Sequence, residues 1–188
     1  MTKIQLGVLA SLEEGPEHAL EKVHSLGFPT CQLGCWHSDL LDDALAQRLR
    51  AATTKNNVEI TTLWAGGPGR HVWDFLEGPT TIGLVPEETR AARLAALKRS
   101  ADFARQVGVP SITTHVGFIP ENPSDPHYPA VVAVLKEIAL YCANQGLGFW
   151  FETGQETPIT LLRTIQDIGT DNLGINLDPA NLLMYGKA

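Results

Sequence analysis

A strict alternation of short β-branched or aromatic runs with longer amphipathic segments constrains this chain more than anything else in it. The runs "IQLGVL" (4–9), "PTCQLGCW" (29–36), "VEITTLWA" (58–65), "PSITTHVG" (110–117), "LGFWFE" (147–152) and "LGINLD" (173–178) read as strands. Helices are expected between them. The first has Pro16 in its first turn and Gly27 as its stop, and the second has Ser38 or Asp39 as its cap. The strongest runs from Pro86, with Leu94, Leu97, Ala101, Ala104 and Val107 on one face; two more cover 127–145 and 157–169. Six strands alternating with about five helices require parallel pairing through helical crossovers, an α/β fold.

Two architectures satisfy that pattern, an open doubly wound sheet and a (β/α)₈ barrel. The first should carry a Gly-rich turn after an early strand, but "ASLEEGPEH" follows strand one and no GxGxxG occurs. A barrel gathers its site-forming residues on one rim, at the carboxyl ends of its strands. That is the distribution seen: Trp36-His37, Trp64, His115, Glu152 and Asp178 end five consecutive strands. The long irregular stretch 66–85 falls on the same rim, where it would serve as a lid or as a surface insertion.

The strand-end residues point to chemistry. Glu152 and Asp178 would stand at the tips of neighbouring strands, about 4.8 Å apart in a parallel sheet. Two such carboxylates repel, so one takes up a proton unless a cation lies between them. Each also has a plainer role, Glu152 as a loop acid and Asp178 as the N-cap of a helix beginning at Pro179. His115 on that rim suits either packing or contact with a substrate hydroxyl or phosphate, and Trp36, Trp64 and Trp73 suit either the core or the wall of a sugar pocket. His71 and His37 are weaker candidates.

Bulk properties count against several classes. The net charge of −7 and the absence of a basic cluster disfavour nucleic acid, and no apolar run is long enough for a membrane span. Cys31, Cys35 and Cys142, without a CxxC pair, read as buried reduced thiols of a cytoplasmic protein.

"THVGFIP", "FETGQET" and "NLGINLDPANLLMYG", in this order and spacing, resemble the xylose isomerase-like TIM-barrel superfamily, in its sugar phosphate isomerase/epimerase branch. The resemblance implies an enzyme of carbohydrate metabolism. It would be a metal-dependent isomerase or epimerase of a sugar or sugar phosphate, acting through an enediolate with one divalent ion (manganese, magnesium, cobalt or zinc). It places Glu152 as metal ligand and as one of two proton-transferring glutamates, and Asp178 as the second ligand. His115, Asn181, Trp64 and Trp36 would contact substrate; Asn181 stands where a His is frequent, and its amide can hydrogen-bond a hydroxyl but not carry a proton charge. Alternatives are an inositol-catabolism-type dehydratase, an apurinic endonuclease-like phosphodiesterase, and a non-catalytic fragment or binding scaffold.

A full barrel needs about 250 residues. The expectation for residues 1–188 is therefore one partial barrel domain of six βα units, lacking strands seven and eight and impaired in turnover. Strands one and six would be left as edges, open to pairing with a second copy.

Overall fold

The computed structural model describes residues 4–188. Six parallel strands form one sheet in the order of the chain: β1 (Gly7–Ser11), β2 (Thr30–Cys35), β3 (Glu59–Ala65), β4 (Ser111–Thr114), β5 (Gly148–Glu152) and β6 (Leu173–Asn176). Helices α1 (Pro16–Ser25), α2 (Asp43–Asn56), α3 (Gly78–Thr81), α4 (Glu87–Val107), α5 (Tyr128–Ala143), α6 (Pro158–Ile168) and α7 (Pro179–Met184) complete the chain. Each crossover is a helix packed on the same face of the sheet, which is why successive strands become neighbours.

Period-two alternation divides the two faces. Cys31, Leu33 and Cys35 on β2 and Phe149 and Phe151 on β5 are buried in the hydrophobic core. The intervening Gln32, Trp64, Trp150, Glu152 and Asn176 occupy the other face. Gln32 Nε2 donates to Asn176 Oδ1 at 2.6 Å, although β2 and β6 are not neighbours in the sheet. A flat sheet cannot make that contact. The sheet curls, and its inner face is the interior of a partial barrel.

Local boundaries differ from the sequence expectation in places with clear causes. The first strand lies at 7–11 rather than 4–9, because the parallel ladder begins where β2 begins, with Gly7 opposite Thr30. The second helix is capped by Asp42, whose Oδ1 accepts from Leu45 N at 2.7 Å, and not by Ser38 or Asp39. Those two residues form a 3₁₀ turn, and the later start places Ala46, Leu49 and Ala52 on the core. All three cysteines are buried and free, as expected, and burial pushes the Cys31 thiol up to about 11. No helix among the described residues is long and apolar enough to cross a membrane.

Candidate active site

Glu152 closes β5 on the inner face and is buried. Register sets its surroundings: Glu152 pairs with Asn176 of β6, so their side chains lie side by side, and Asn176 Nδ2 donates to Glu152 Oε2. Trp64 Nε1, from β3 two strands away, donates to the same oxygen at 3.4 Å. Burial pushes the carboxyl above its ordinary value and the charge of Asp178 adds to this, while the hydrogen bonds from Asn176 and Trp64 oppose it.

Asp178 lies two residues beyond β6 and caps α7, with Oδ1 accepting from Asn181 N at 3.0 Å. The capping role anticipated for it is therefore real, but it engages only one carboxylate oxygen. The main chain of Asp178 is tied to the loop after β5, its N–H donating to Thr153 Oγ1 at 2.8 Å. That loop comes very close to α7: a Cβ at Gly154 would lie 2.8 Å from the Cβ of Asn181. Asn181 thus packs against the loop that carries Glu152.

His115 follows β4, and its Nδ1 meets Gln155 Oε1 at 3.1 Å. Burial lowers its pKa to about 4, against the Gln155 hydrogen bond and the nearby Asp178, so the ring is neutral at ordinary pH. With a carbonyl oxygen as partner, Nδ1 carries the hydrogen and Nε2 is left as an acceptor.

The aromatic side chains gather around this group. Trp36 lies 4.8 Å from Trp64 and 5.9 Å from Trp73, centroid to centroid. Trp73 is in turn 4.8 Å from His115 and stacks at 16° on His71, whose ring also meets Trp36 edge-on. Burial, with the charge of Arg93, lowers the pKa of His71. A cavity of about 470 Å³ opens beside these indoles, lined by Leu9, Ser11, Gly34, Trp36 and Trp64 among others.

Of the expected site residues, Glu152 and Trp64 touch, Trp36 and His115 join them through the aromatic cluster, Asp178 adds its charge, and Asn181 sits behind. Sequence reasoning missed Asn176, whose alternation with Asp178 was available as a signal. It also undervalued His71, which the stretch 66–85 carries into the cluster.

A family model described as xylose isomerase-like TIM barrel matches residues 20–188. The chain belongs to that family. Among solved structures, a xylose isomerase domain protein from Planctomyces limnophilus is 38% identical with a TM-score of 0.91, and the match covers 98% of this chain and 66% of that one. A D-psicose 3-epimerase solved in the presence of D-fructose shares the fold at 18% identity and a TM-score of 0.72, over 97% of this chain and 67% of that one. A xylose isomerase-like TIM barrel protein from Mycobacterium smegmatis, in complex with magnesium, does so at 18% identity and a TM-score of 0.68, over 95% and 65%. The chain spans about two thirds of the length of these structures. No curated protein matches it.

One related structure is in complex with magnesium, and two carboxylates of this rim bear on whether a divalent cation could be held here. Among the described residues no three His, Cys, Asp or Glu side chains form a closed cage. Glu152 and Asp178 nonetheless supply two hard oxygen donors whose mutual repulsion a cation would relieve. Magnesium-type ions are commonly held by one or two carboxylates, with water and substrate oxygens completing the shell.

Proposed function

We propose that the chain performs isomerisation or epimerisation of a sugar or sugar phosphate by proton transfer at the carbon next to a carbonyl. The observation that carries this reading is Glu152: a buried carboxylate with a raised pKa, held at one oxygen by Trp64 and Asn176, beside a wall of indoles. A carboxylate moved towards neutrality by its surroundings is suited to take and return a proton near pH 7. Trp64 and Asn176 hold its geometry, so that its free oxygen faces the substrate.

A divalent ion held by Glu152 and Asp178 would supply positive charge near the substrate oxygens as the enediolate forms. The neutral His115 ring accepts a substrate hydroxyl at Nε2 while Gln155 fixes its tautomer. The faces of Trp36, Trp64 and Trp73 pack on the C–H surfaces of the carbon chain and exclude water. The buried, free thiols suit a reducing compartment, and the cytoplasm belongs to this reading.

The test is solvent exchange. The chain is incubated with Mn²⁺ in D₂O with a panel of ketoses and ketose phosphates, and NMR follows deuterium entering next to the carbonyl. Incorporation that disappears in Glu152→Gln is expected, and incorporation indifferent to that change overturns the proposal. Calorimetry with Mn²⁺ alone supplies a readout free of turnover: affinity should fall in both Glu152→Gln and Asp178→Asn.

A further inference from the structure

Arg93 lies on α4, buried against the stretch 66–85, and among the described residues it forms no ion pair with a carboxylate. Its guanidinium donates instead to four main-chain carbonyls: Nε to Pro68 at 3.1 Å, Nη1 to Gly83 at 2.8 Å, and Nη2 to Arg70 at 3.0 Å and Thr81 at 2.7 Å. Pro68 and Arg70 form the outgoing stem of the stretch 66–85, while Thr81 and Gly83 form its returning stem. One planar cation therefore joins both stems at the base of the loop. His71 and Trp73, which complete the aromatic cluster, follow the outgoing stem directly. Arg90 braces the far end, donating to Leu84 O at 2.8 Å and Val85 O at 2.5 Å.

We propose that Arg93 is a positioning residue for the sugar site, a clasp on the stems of 66–85 that sets His71 and Trp73 against Trp36 and His115. The functional part rests on the sugar reading of the rim; the clasp itself does not. The physical basis is mutual dependence. A buried cation without a counter-charge is tolerable only while the carbonyl dipoles surround it. The loop cannot lift without stranding that charge; Val72 N, which donates to Thr81 Oγ1 at 3.1 Å, and the exposed Arg70–Glu77 ion pair also join its two halves, but neither holds a buried charge that would be stranded. The long stretch on the rim is therefore a fixed wall rather than a mobile lid. The crevice bounded by Trp36, Trp64, His71, Arg93 and His115 keeps its shape because the clasp is part of it.

The test uses the full chain and its near-ultraviolet circular dichroism, which reads the coupled indoles, alongside far-ultraviolet melting, which reads the barrel. Arg93→Met should lose the share of the indole signal that Trp73→Phe loses, and the double variant should lose no more than either single one. D-fructose binding, followed by tryptophan quenching, should weaken roughly tenfold if the wall is in place in about a tenth of molecules. Mn²⁺ affinity should hold, because Glu152 and Asp178 lie outside the loop.

Gly67→Ala gives a second route should Arg93→Met fail to fold. Its added Cβ would lie 3.0 Å from Arg93 Cγ and displace the clasp without removing it, so it should reproduce the same losses in milder form. An unchanged indole signal in the variant that folds overturns the proposal. So does a parallel fall in Mn²⁺ and D-fructose affinity, or full recovery in Arg93→Lys, since a single ammonium cannot span both stems. If the wild type binds neither Mn²⁺ nor D-fructose, the sugar reading fails, and the indole signals alone decide whether the clasp stands.

Discussion

Glu156 should make this protein less stable as the pH rises through neutrality, and Glu156→Gln should abolish that loss. The residue is 1% exposed, and neither carboxylate oxygen has a hydrogen-bond partner among the described residues. Burial raises its pKa from 4.5 to about 8; its own main-chain N–H and the charge of Lys187 oppose this, and the charges of Glu121 and Glu152 add to it. A carboxyl with a raised folded pKa holds its proton in the native state after the unfolded chain has released it. The contribution of Glu156 is therefore most favourable below 4.5, falls between 4.5 and about 8, and levels off above that. At about 1.4 kcal/mol per pH unit, the interval from 4.5 to pH 7 corresponds to about 3 kcal/mol, a large share of an ordinary domain's stability. The amide in Glu156→Gln is nearly isosteric and cannot ionise, so it should match the wild type near pH 4.5 and exceed it by about that amount at pH 7. Urea unfolding of both proteins across this range measures the difference directly. A gap that does not grow with pH, or a variant less stable than wild type at pH 8, would refute the burial argument and point to a buried cation partner for Glu156.

Three further outcomes follow from single side chains. Gly83 has φ +71°, and a Cβ there would fall 2.0 Å from the Val116 carbonyl carbon; Gly83→Ala should lower stability by about 3 kcal/mol or more in thermal melts. Glu121 has the opposite linkage sign to Glu156. Against the effect of burial, hydrogen bonds from Lys187, Thr160 and Thr157 hold its pKa down to about 2, so wild type should lose stability as pH falls from 4.5 towards 2 while Glu121→Gln shows a smaller acid loss in the same melts. Trp64→Phe removes one donor to the ionised Glu152. The acid limb of the pH–rate profile for solvent exchange should move to higher pH, and an unmoved limb would separate Glu152 from the proton transfer.

The rim was legible in the sequence because parallel strands deliver their carboxyl ends to one side, so Trp36, Trp64, His115, Glu152 and Asp178 needed only the alternation to be brought together. Register was less accessible. That Glu152 stands opposite Asn176 depends on where each strand begins, and a shift like that of β1 to Gly7 follows from the partner strand rather than from local residues. The aromatic cluster lay further out of reach. On α4 the visible stripe was apolar, yet the buried face holds Arg93 with Leu97, Ser100 and Ala104, and an arginine in register with a core stripe is the one trace that sequence leaves of the clasp. Its four acceptors leave none, because every residue has a carbonyl. Interactions between two side chains write a pattern at both ends, whereas a side chain that binds main chain writes it at one. The position of His71 and Trp73 depends on bonds of the second kind, which is why a chain whose strands and helices can be read residue by residue still left open whether Trp73 lines the core or a wall, and left His71 among the weaker candidates.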